Sequence, residues 1–107
     1  MQPGLQAEID LELENAGRAR LAGNEGKARV CARRAAGLAA RDFLARRAVR
    51  VNGSAYEVLK ILAEFSGLAP ALQTAATRLT MRVSEEFSLP TDVDLIAEAR
   101  KLIGGLD

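Results

Sequence analysis

At 107 residues, with 49% hydrophobic side chains and a formal net charge of +1, the chain is expected to fold as one domain over residues 1–107, burying about two-thirds of its unfolded surface. It has no histidine, which removes the commonest general base and transition-metal ligand. Its one cysteine excludes both an internal disulfide and a structural zinc site.

Alanine and leucine dominate, Val, Ile and Thr are sparse, and rings are few (three Phe, one Tyr, no Trp), so the expected class is all-α. The opening residues carry neither a positive stretch nor an apolar run, so no secretory leader is expected. No apolar run approaches the roughly 18 residues of a membrane span. Cys31 among alanines reads as a small buried hydrophobe, which fits a reducing cytoplasm.

The first helix is predicted from Pro3 or Leu5 to Leu21, with Leu5, Ile9, Leu13 and Ala16 as its apolar stripe. Gly23-Asn24-Glu25-Gly26 allows only a tight antiparallel return. The second helix is predicted over most of residues 24–51, capped by Asn24 and closed by Asn52-Gly53. At 100° per residue its two sides separate. Ala28, Cys31, Ala32, Ala35, Ala36, Leu38, Ala39 and Phe43 fill one half; Lys27, Arg29, Arg33, Arg34, Arg41 and Arg47 fill the other. The alanine half offers a close-approach seam, which helices one, three and four, or a second copy of the chain, are expected to cover.

Ser54-Ala55-Tyr56-Glu57 is a capping-box pattern opening a third helix with Val58, Leu59, Ile61, Leu62 and Phe65, ended at Gly67. Pro70 opens a fourth helix carrying Leu72, Ala75, Ala76, Leu79 and Val83. Its end falls within the irregular stretch Ser84 to Pro90. Thr91-Asp92-Val93-Asp94 caps a fifth helix with Leu95, Ile96, Ala99, Leu102 and Ile103, closed by Gly104-Gly105. Five helices with short connections predict an up-and-down bundle.

Charge is partitioned along the chain. Residues 1–14 hold four acids (Glu8, Asp10, Glu12, Glu14) and no base, whereas residues 18–50 hold ten bases against Glu25 and Asp42. The basic face has two readings. Arg33, Arg34, Arg41, Arg46 and Arg47 can contact phosphates as an RNA- or nucleotide-binding surface, or the N-terminal acids and later carboxylates can pair with them. No aromatic residue interleaves that face for base stacking. Phosphate-cradling glycine loops are absent. Glu85-Glu86 and Asp92/Asp94 read as a solvated turn and a helix-start charge bias rather than a cation site, and Ser54 as a cap rather than a nucleophile. No catalytic residue, metal or cofactor is expected.

The order of features resembles the HEPN domains. The long helical hairpin, broken by Gly-Asn-Glu-Gly and continuing through residues 28–44, Ala-Arg-Val-Cys-Ala-Arg-Arg-Ala-Ala-Gly-Leu-Ala-Ala-Arg-Asp-Phe-Leu, looks like their first two helices. Tyr56 to Leu62 resembles their short third helix, Leu68-Ala69-Pro70-Ala71-Leu72 the start of the fourth, and Phe87-Ser88-Leu89-Pro90 before the last helix their closing segment. The resemblance implies an α-helical homodimer in a prokaryotic toxin–antitoxin or defence setting, in some cases beside a nucleotidyltransferase-type partner. Its ribonuclease members use an Arg-x4–6-His motif across the dimer. Here Arg82 is followed by Glu86, Phe87, Ser88 and Leu89 where the histidine would fall, so the resemblance implies the fold and the dimer without the nuclease.

Overall fold

The computed structural model describes residues 2–81 and 93–106, which form five helices: α1 (Pro3–Leu21), α2 (Glu25–Ala45), α3 (Ala55–Ala63), α4 (Pro70–Leu79) and α5 (Leu95–Gly105). The all-helical class follows. Among the described residues, no helix is long and apolar enough to cross a membrane.

Local chemistry places most helix starts. Asn24 accepts the Lys27 N–H (3.1 Å), Ser54 the Glu57 N–H (3.3 Å), and Asp94 those of Ile96 and Ala97 (3.0 and 3.2 Å). At Ser54 the hydroxyl also faces the Glu57 carboxylate (3.4 Å), which binds the cap side chain where a capping box would return to the cap backbone. Pro70 opens α4 at a position where its missing N–H leaves nothing unpaired.

The end of α2 differs from expectation. The helix stops at Ala45, short of Asn52-Gly53, because Ala48 adopts the left-handed conformation (φ 63°). Its N–H donates to the Ala45 carbonyl (3.0 Å) and the Val49 N–H reaches back to the Leu44 carbonyl (2.8 Å), the paired bonds of a Schellman stop. Val49 and Val51 then pack against the core, so burial holds alanine where glycine is usual. Ala48→Gly is therefore expected to stabilise the fold by about 0.5–1 kcal/mol, read as a rise in urea midpoint at unchanged slope.

The hairpin of α1 and α2 is the widest contact in the molecule, and α2 also carries α3 and α5, while α4 packs on α3 and α5. The alanine seam is thus covered by α1, α3 and α5. Helix four, expected on the seam, instead packs on α3 and α5, and α5 takes its place against α2. Ala28, Cys31, Ala32, Ala35, Ala36, Ala39 and Phe43 are all buried, as the wheel predicts. Leu38 is half-buried at the seam's edge, and Ile61, expected in the core, is 42% exposed. Phe43 meets Phe65 edge to face (centroids 5.7 Å apart) and closes the end of the core.

Polar ties fix α5. Arg20, near the end of α1, donates to Glu25 at the start of α2 (2.8 Å) and to the α5 cap Asp94 (2.9 Å). The Arg20 hydrogen bond holds the Glu25 carboxyl below its ordinary value. At Asp94 burial pushes upward, but the bonds from Arg20 and the Ala97 N–H outweigh it and leave that carboxyl lowered too. Buried Glu98 pairs with Arg78 of α4 (3.0 Å) and with Lys101 (3.5 Å).

A carboxyl lowered in the folded state contributes stability above its unfolded pKa and loses it as pH falls through the folded one. The Arg20 ties therefore act at neutral pH and fade below the ordinary carboxylate values of 4.5 and 3.8. Arg20→Met is expected to cost on the order of 1 kcal/mol at pH 7, with the melting curves of variant and parent converging in acid.

Candidate interaction groove on the helical hairpin

The five arginines singled out from the sequence do not form one phosphate-facing row. Arg33 is half-buried: Nε donates to the Leu79 carbonyl (2.7 Å) and Nη2 to the Met81 carbonyl (3.2 Å), capping the end of α4. Burial pulls its guanidinium below the ordinary value. Arg46 pairs with Asp42 one turn back (3.1 Å). Arg47 lies over the Phe43 ring, 3.6 Å from its centroid, and donates to the Phe43 carbonyl (3.3 Å).

Arg41 donates from Nη2 to the Gly53 carbonyl (2.6 Å), tying α2 to the turn before α3. Arg34 is exposed and has no hydrogen bond or ion pair among the described residues. The structure thus brings Arg34 and Arg41 together and turns Arg33, Arg46 and Arg47 to separate tasks.

Those two arginines line a groove of about 580 Å³ on the outer face of the hairpin. One wall is α1, with Glu8, Leu11, Glu12 and Asn15. The other is α2, with Arg34, Gly37, Leu38 and Arg41, and Ala55 at the start of α3 closes one side. Both walls use the same i, i+3, i+4, i+7 spacing, so each presents one helical face to the groove. Acids line one bank and arginines the other. Among the described residues no ion pair within 4.0 Å joins them; the pairs that form are those of Arg20, Arg29, Arg46, Arg78 and Lys101. The expectation that the N-terminal acids neutralise the basic face is met in placement only, since the hairpin sets Glu8 and Glu12 across an open groove from Arg34 and Arg41.

Apolar surface accompanies the charges. Leu11 is 54% exposed and Val30, one turn before Arg34 on α2, is 42% exposed. The sequence wheel placed Leu38 in the core half and gave α1 no second face, so the α1 wall went unread. The repeated spacing of 8/11/12/15 and 34/37/38/41 is the signal that marks it.

A smaller depression of about 300 Å³ lies on α3 alone, among Glu57, Lys60, Ile61 and Glu64, and a single helix gives it no opposing wall. Among the described residues no group of three or more His, Cys, Asp or Glu side chains is placed to hold a metal. Asp94 is engaged as a cap, and Glu85, Glu86 and Asp92 lie outside the described residues, as do Arg82 and the segment Phe87 to Pro90. Set against known proteins, the chain matches no family model, no curated protein and no solved structure.

Proposed function

We propose that this protein is a non-catalytic, HEPN-like helical module of the cytoplasm that works by self-association and protein binding. The observation that carries this reading is the outer face of the α1–α2 hairpin, where Leu11 and Val30 stay exposed beside opposed charged banks. Apolar side chains ringed by ordered charge are the usual make-up of a protein-binding surface. The lack of histidine agrees with a module without hydrolytic chemistry. A prokaryotic toxin–antitoxin or defence setting, with a nucleotidyltransferase-type partner, is the context that the resemblance adds.

The competing reading is RNA or nucleotide binding through Arg34 and Arg41, favoured by the one observation that Arg34 is left without a partner among the described residues. Acids on the facing wall weigh against it, because a phosphate entering the groove meets Glu8 and Glu12 as well. Sedimentation velocity over a concentration series, with anisotropy titration of labelled RNA at low and high salt, separates the two. Self-association without RNA binding is the expected result; a monomer that binds RNA with a steep salt dependence overturns it. RNA cleavage in chelator, abolished by Arg82→Ala, would overturn the non-catalytic assignment.

A further inference from the structure

The banks of the groove differ in sign, and that determines what fits them. Glu12 and Arg34 stand at equal distances either side of the turn residue Gly23, so they occupy the same level of the antiparallel hairpin. Glu8 lies level with Leu38 and close to the level of Arg41. A binder must therefore offer positive charge over α1 and negative charge over α2, with apolar contacts for Leu38 and, on the outer edge of α1, for Leu11. This surface itself has that layout when turned over.

A second copy can meet this face about a two-fold axis in the contact plane in two ways. An axis across the hairpin sets α1 on α1 and acids on acids, which costs repulsion at every level. An axis along the hairpin sets α1 of each copy over α2 of the other. Glu12 then faces the partner's Arg34, and the partner's Glu12 faces Arg34, at matched height and without any slide. We propose that the outer face of the α1–α2 hairpin is the dimer interface, with the two-fold axis parallel to the helices and the Glu12–Arg34 pair exchanged between copies. This deepens the self-association reading and rests on it.

The contact is isologous, so each single substitution acts twice in a dimer. Glu12→Arg places two bases against two arginines, and Arg34→Glu two acids against two glutamates. Arg34 is exposed and Glu12 half-buried, neither has a hydrogen bond or ion pair among the described residues, and circular dichroism checks that each variant keeps its helices. Each variant alone is expected to dimerise at least about tenfold more weakly than the parent. An equimolar mixture of the two restores every opposite-charge pair and is expected to regain the parent's affinity as a one-to-one heterodimer. Restoration on mixing supports the interface, since misfolding is not cured by adding a second altered chain.

A parent dimer whose affinity neither substitution changes overturns this surface while leaving self-association standing. A parent that remains monomeric at every concentration overturns both. The parent also gives a reading that needs no variant. Its dimer is expected to weaken as salt rises from about 0.05 to 0.5 M, where the screening length falls from roughly 14 to 4 Å. An affinity insensitive to salt overturns the charge exchange.

Discussion

Gly37→Ala and Gly17→Ala, the same substitution on neighbouring helices, are expected to move stability in opposite directions. Both glycines sit inside helices, where alanine is favoured by roughly 1 kcal/mol. At Gly17 an added Cβ meets nothing within 4 Å, so the propensity gain is expected nearly whole, about 0.5–1 kcal/mol. At Gly37 the same atom would lie 2.7 Å from the Ala55 Cβ and 2.9 Å from the Ala55 Cα. Neither is the free end of a flexible side chain. Both ride on the first residue of α3, so relief requires the whole start of that helix to move. Overpacking of this kind costs about 1–3 kcal/mol, which outweighs the propensity gain. Gly37→Val, which adds branching at the same point, is expected at about 3 kcal/mol. Urea midpoints of the three variants decide the matter: a stabilised Gly37→Ala would mean that α3 is not seated on α2 as described.

Leu59→Ala is expected to cost about 3–5 kcal/mol, the upper part of the range for such truncations. Leu59 is fully buried in α3, which packs on both α2 and α4. The spread in such costs reflects how far the surroundings collapse into the space left behind. Here they have little freedom to do so. Ala32, Ala35, Ala36 and Ala39 already hold the helices around α2 in close approach, which limits how far the backbones can move inward. Thermal and urea unfolding of Leu59→Ala against Ile61→Ala, at a position 42% exposed on the same helix, reads the contrast. A loss at Leu59 no greater than at Ile61 would contradict the placement of α3.

The sequence was most legible where structure is set by neighbours in the chain. Asn24, Ser54 and Pro70 stand at the helix starts assigned to them, because a cap is a contact over two or three residues, and the Thr91–Asp94 stretch does supply a cap for α5, at Asp94. Gly67 does take a positive φ (91°), but in a turn of its own, since α3 ends at Ala63, before Phe65 and short of the C′ place predicted for that glycine. The far end of α2 was not legible, since residues 45–51 are mostly helix-permissive and their stop depends on Val49 and Val51 finding the core. That α5 and not α4 covers the seam is likewise a matter of packing between distant segments.

The site was half legible. Periodicity gave the direction of each arginine but not its partner. Carbonyls of Leu79 and Met81 claim Arg33, and the Phe43 ring claims Arg47, from information that lies elsewhere in the fold. The acidic bank was visible as composition and became a wall only once α1 lay antiparallel to α2.

Ala55 belongs to two surfaces at once: it seats the start of α3 on Gly37, and it forms one side of the outer groove. Whatever occupies the groove and touches Ala55 thereby favours the seated state of α3, and by linkage adds binding free energy to that docking. Association at the outer face and local opening of the third helix are thus opposing equilibria that share one residue. Slower amide exchange along α3 is the signature that occupancy would leave inside the monomer.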